Sequence, residues 1–170
     1  MKPVTSTVHK VIALAILIIF NIGGLKAQSK KAARQKEKLQ EVQKLIDSKR
    51  FTFKVQTVQP MRGGSINITS DYELEIKKDT LNSYLPYYGR AFTAPMNPTE
   101  SGLIFTTQDF DYNIEKKKKG MKNITIVPKN RAQYARQFNL TVSELGYATL
   151  QVTANNRDAI TYTGYIAAAD

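Results

Sequence analysis

The chain has 170 residues, with 25 Lys and Arg against 14 Asp and Glu, no cysteine, and a single histidine, His9. The absence of cysteine excludes disulfides, thiol nucleophiles and a lipid-bearing cysteine at a cleavage point. A histidine confined to the first ten residues removes Ser-His-Asp triads and ordinary zinc or copper sites from everything downstream.

The N-terminus reads as an export signal. Lys2 and Lys10 precede an unbroken apolar run over 11–20, and the small residues Gly23, Gly24 and Ala27 follow. Cleavage is expected between Ala27 and Gln28. The run is shorter than the roughly 20 apolar residues of a membrane span, and Asn21 interrupts it. Lys30, Lys31, Arg34, Lys36 and Lys38 pull toward an uncleaved anchor, because positive charge prefers the cytoplasmic side. The expectation is a signal peptide over 1–27, a basic N-terminal helix over 28–50 and a β domain over 51–170. The mature protein would be periplasmic or secreted, and not a lipoprotein.

In the stretch 28–50, eight Lys/Arg stand against three Asp/Glu, with no glycine or proline. Leu39, Val42, Leu45 and Ile46 recur at helical spacing. The pattern predicts a helix from about Ala32 to Ser48. Its first half is solvated, and the apolar stripe of its second half packs on the sheet that follows.

From Phe51 the period changes to two. Phe51, Phe53 and Val55 alternate with polar residues; Ile66, Ile68, Tyr72, Leu74 and Ile76 share one parity against Asn67, Asp71, Glu73 and Glu75. Gly63-Gly64 and Lys78-Asp79 mark turns. Downstream, Phe110, Tyr112 and Ile114 lead through a lysine tip to Lys122, Ile124 and Ile126. Phe138, Leu140 and Val142 form another strand, and Gly146 opens the turn to Ala148, Leu150 and Val152. Asn155-Asn156 turns the chain into Ile160, Tyr162 and Ile166. With a strand near 103–107, about eight strands are expected, joined by short hairpins. The fold class is therefore mainly β: an antiparallel meander forming a sandwich or partly open barrel, with an N-terminal helix. The segment 81–102 breaks the pattern. Its prolines and glycines argue against a central strand, and its aromatics distinguish it from a solvated loop.

Within that segment, Leu85-Pro86-Tyr87-Tyr88-Gly89-Arg90-Ala91-Phe92 resembles the central signature of domain-of-unknown-function family 4251. Tyr72 and Leu74, Phe105, the lysine run, Gly146, Arg157 and Gly164 fit the same pattern. The resemblance spans about 51–166. It implies an exported protein of Gram-negative Bacteroidetes and a periplasmic or surface location. It supplies no catalytic residues, because the family has no established activity. In such a source, Asn67, Asn123 and Asn139 are ordinary strand residues despite their N-x-T triplets.

Tyr84, Tyr87, Tyr88 and Arg90 form the strongest local cluster. They suit a ligand site, with flat tyrosine surfaces and a forked guanidinium donor. They also suit a plug folded over an open end of the sheet, the reading favoured for at least two of the tyrosines. Asp71, Glu73 and Glu75 have the i, i+2 strand spacing of a carboxylate pair, but their polar parity points to solvent opposite cross-strand lysines. Asp109 and Asp111 offer hard oxygens without a glycine-centred loop, so no metal site is expected. Lys116, Lys117, Lys118 and Lys119 could touch an anionic surface, or simply solvate a hairpin tip and protect its edge. There is no phosphate-cradling glycine loop or dinucleotide fingerprint, and no cofactor is expected. Export argues against a nucleic-acid partner. The best reading is a non-enzymatic module that binds an envelope ligand, a glycan or a protein. The alternatives are a small carboxylate-dependent hydrolase and a structural envelope component.

Overall fold

The computed structural model describes residues 30–92, 103–130, 135–155 and 157–169. The expected export segment, Asn156, Pro95, Pro98 and Gly102 lie outside them. Among the described residues, 30–38 fall in one unit and those from Leu39 onward in another. Helix α1 runs over 30–48, and its side chains through Glu37 are exposed. In the second half Val42 and Ile46 are buried, and Leu45 packs against the same core. Lys49 ends the helix in the left-handed region at φ 53° and leads directly into the first strand.

The strands are β1 (Arg50–Pro60), β2 (Ile66–Asn67), β3 (Glu73–Lys77), β4 (Thr80–Tyr84), β5 (Ile104–Thr107), β6 (Phe110–Lys116), β7 (Lys122–Pro128), β8 (Ala135–Val142), β9 (Tyr147–Ala154) and β10 (Ile160–Ala168). They form one sheet in the order β5-β4-β3-β1-β10-β9-β8-β7-β6, with β2 paired to β1 off this path. Every pairing is antiparallel. Along a path of nine strands the two edge strands, β5 and β6, therefore run in the same direction. Only Gln108 and Asp109 separate them in sequence. The chain thus passes from one edge to the other without reversing, pairing β4 first and β7 next. This nearly closes the sheet into a barrel, which manages the exposed edges that an open sheet would leave.

The alternation fills the barrel. Phe51, Phe53, Leu74, Ile76, Leu81, Phe138, Leu150 and Tyr162 are fully buried. The Phe105 and Phe138 rings, on β5 and β8, meet with centroids 6.1 Å apart. The outward parity of β7 to β10 carries rows of neutral polar residues. Asn123, Thr141, Thr149 and Thr163 face one another in register, as do Thr125, Asn139, Gln151 and Thr161. Charge is concentrated elsewhere, mainly at the turns and on the helix.

Two strand expectations are corrected. The alternation over 66–76 is not one strand, because the chain leaves the sheet between β2 and β3. The segment from Leu81 does carry a strand: β4 lies inside the sheet between β3 and β5. All its breakers, starting with Pro86, follow Tyr84, so Leu81 and Ser83 can turn inward while Asn82 and Tyr84 turn out.

Candidate functional site

The two ends of the barrel are closed differently. At the end where β1 finishes, the chain after β4 folds across. Leu85 and Pro86 are buried, and the buried Tyr162 hydroxyl donates to the Pro86 carbonyl at 2.7 Å. The Tyr87 hydroxyl is shared between the carbonyls of Arg90 at 2.9 Å and Asp158 at 3.0 Å. Arg157 lies over the Tyr87 ring, 5.1 Å from its centroid. The Asp158 amide donates back to Arg90, and Ala91 bridges to Arg157. The segment is stitched to the β9–β10 turn mainly through backbone groups.

The expected tyrosine–arginine cluster therefore divides. Tyr87 is half-buried in the seal. Tyr84 and Tyr88 are 46% and 47% exposed, and Tyr84 leans on Tyr72 with centroids 5.2 Å apart. Arg90 is exposed and sits 5.8 Å from the Phe92 ring. These side chains do not converge on one concavity.

Burial pushes the Tyr162 phenol far above its ordinary range, with smaller contributions from Tyr87 and Tyr88. Tyr112 is raised for the same first reason, with the Asp47 carboxylate adding to it. Tyr87 is raised by burial and by Asp158, against the opposing pull of Arg157. A raised phenol stays protonated in the folded state while the unfolded chain ionises near pH 10. The folded state then binds more protons, so stability is complete below about pH 10 and falls above it, by up to about 1.4 kcal/mol per pH unit for each such tyrosine. Tyr162→Phe is expected to lose about 1 kcal/mol at neutral pH by orphaning the Pro86 carbonyl. It should also flatten the alkaline decline. Urea melts between pH 8 and 11 check this; an unchanged slope would contradict the assignment.

At the opposite end, where β1 begins and β3, β6, β8 and β10 finish, the later turns of α1 cross the opening. Between them and the β6–β7 and β8–β9 turns lies a cleft of about 500 Å³. Leu39, Val42, Ile46, Met121 and Val142 give it an apolar lining, and Lys116, Lys117, Lys122, Ser143 and Glu144 add polar groups. Its volume falls within the roughly 300–1,000 Å³ range of small-molecule sites. Gly146, at φ +88°, makes the β8–β9 turn, and a Cβ there would lie 3.1 Å from Val42. Glycine thus serves both the turn and the close approach of the helix.

Lys122 is the unusual member. It occupies the inward parity of β7, ahead of Ile124 and Ile126, and its side chain is only 11% exposed. Its ammonium lies 3.5 Å from the Asp47 carboxylate, an ion pair at the outer limit of hydrogen-bond reach, and has no well-formed hydrogen bond. The hydroxyl of Ser143, another lining residue, is buried without a partner. Asp47 itself is 59% exposed. Its carboxyl is held below the usual value, first by the Gln43 amide; burial, the next largest effect, opposes this, and Lys122 and Lys116 add smaller lowering contributions. Lys122 was not among the expected site residues. Its signal was present: a lysine on the apolar parity of a strand.

The remaining candidates lie apart. Glu73 meets Lys54 at 3.3 Å and Glu75 meets Lys77 at 2.9 Å. Lys129 lies 3.4 Å from Asp109 and 3.7 Å from Asp111. Among the described residues no group of three acidic or histidine side chains could hold a metal. Of the lysine run, Lys116 and Lys117 border the cleft, whereas Lys118 and Lys119 belong to the short 3-10 turn beyond it. No described helix is long and apolar enough to cross a membrane.

The architecture is a nearly closed antiparallel barrel with a helix over one end and a polar-stitched loop over the other. The profile of the domain of unknown function (DUF4251) matches residues 33–166, and the chain belongs to that family. Among solved structures it is similar to a DUF4251 family protein from Bacteroides eggerthii, with 16% identity and a TM-score of 0.55 over 77% of this chain and 87% of that one. No curated protein matches it.

Proposed function

We propose that this protein is an exported, non-enzymatic binding module whose ligand site is the cleft beneath α1. The observation that carries this is the apolar cleft of about 500 Å³ set against a barrel interior packed with side chains. The site is therefore at the barrel's mouth and not in its lumen. A hydrolase reading would need carboxylates brought together in a protected pocket. Glu73, Glu75, Asp109 and Asp111 are instead each matched by a lysine on the barrel surface. The proposed location rests on the N-terminal signal pattern, and N-terminal sequencing of the native protein tests it: a first residue at Gln28 supports export, and an intact Met1 opposes it.

The cleft is tested with N-phenyl-1-naphthylamine, a neutral dye that brightens in apolar surroundings. The parent should bind it saturably. Leu39→Trp, which places an indole at the half-buried rim of the cleft, should weaken binding at least about tenfold while leaving the melting temperature within about 2 °C, as expected of a substitution outside the packed core. Absence of saturable binding, or undiminished binding in the variant, would contradict the proposal.

A further inference from the structure

We infer that the cleft takes a single-chain amphiphile with a compact anionic head, a fatty carboxylate, and that Lys122 receives the head. The inference rests on the cleft being the binding site and names what it binds.

Three features support it. The first is the combination of lining groups. An apolar wall from Leu39, Val42, Ile46, Met121 and Val142 suits an alkyl chain, and Lys122 is among the residues that line it. The second is the state of that ammonium. An ammonium has three donors, and the Lys122 Nζ is buried with none of them in a well-formed hydrogen bond. Leaving a buried charged donor unmatched is costly. An incoming carboxylate would satisfy it with charge-assisted hydrogen bonds, about twice as strong as neutral ones. The hydroxyl of Ser143, another lining residue, is likewise buried and unpartnered. The third feature is the weakness of the existing partner. Asp47 meets Lys122 only at 3.5 Å, is mostly exposed, and is already bonded to Gln43. A ligand carboxylate can displace it into water at little cost.

The surroundings fit the same sign. Lys116 and Lys117 stand on the rim and attract anions toward the opening. Lys117 is matched by Glu115 at 3.1 Å, and Glu144 lies against Gly120, so the rim is mixed. Lys122 is the buried cation among the lining residues, and the one positioned to discriminate an acid from a neutral chain.

The test compares decanoate with decanol, matched in chain length and differing in head charge, by titration calorimetry on the mature chain. The parent should bind decanoate about tenfold or more tightly than decanol. Lys122→Met should bring the two to within about twofold, with decanol affinity retained. Asp47→Asn should tighten decanoate, by about threefold or more, because the competing carboxylate is gone. Equal binding of acid and alcohol by the parent, or an acid preference that survives Lys122→Met, would overturn the inference while leaving the cleft as a neutral-ligand site. Weaker decanoate binding in Asp47→Asn would also overturn it. If neither ligand binds the parent, the cleft reading fails with it.

Discussion

Leu74→Asp is expected to cost about 4 kcal/mol or more, a large share of the domain's stability. Leu74 is fully buried on β3, opposite Phe53 on β1 and Ser83 on β4. The substitution removes the burial of a leucine, which alone is worth roughly 2–5 kcal/mol in a core. It also places a carboxyl where none of its oxygens finds a donor, so the group must either remain protonated or carry an unpaired charge out of water. A domain of this size has only about 5–15 kcal/mol to lose. Circular dichroism and urea titration check the result; a loss under about 1 kcal/mol would place the apolar parity of β3 on the wrong face.

Gly164→Ala should cost about 3 kcal/mol, the upper part of the overpacking range, for one added methyl group. A Cβ at Gly164 would lie 1.9 Å from the Lys54 carbonyl oxygen and 3.3 Å from the Phe53 ring. The first contact is backbone, which cannot rotate aside. It falls where β10 crosses β1, next to the register shift between Val55 and Thr57. This pairing joins the two ends of the β domain, so opening it disturbs the whole barrel. Gly64→Ala is the control: a Cβ there meets nothing within 4 Å. It should leave the melting temperature unchanged or slightly raised. Equal stability of the two variants would contradict the close approach at Gly164.

The period-two pattern made most of this fold legible, because each strand is half-buried and alternation is then enforced along its length. β7 shows the strength of the signal, with Lys122, Ile124, Ile126 and Pro128 all buried. A partly open barrel was one of the two expected forms, but the sequence did not choose between it and a sandwich. Closure depends on β5 and β6 forming one continuous path with partners on opposite sides, and no local pattern records that. β4 was obscured because its five residues are followed at once by breakers. The aromatic cluster around Tyr87 was visible as a cluster, but composition does not record that its members divide between seal and solvent. The cleft could not be read at all, since it forms between α1 and two turns distant in sequence. Lys122 was visible as a lysine on an apolar parity. Its significance came only with the helix laid over the end of its strand.

The proposed ligand site lies at the helix-covered end of the barrel. The most direct measurement is photolabelling with a diazirine-bearing decyl alcohol, followed by peptide mapping of the adducts. A neutral probe keeps this independent of the role of Lys122. Saturable adducts within 39–46, 116–122 and 142–144 are predicted, competed by excess decanol. Adducts concentrated within 84–92, at the aromatic end, would contradict the account.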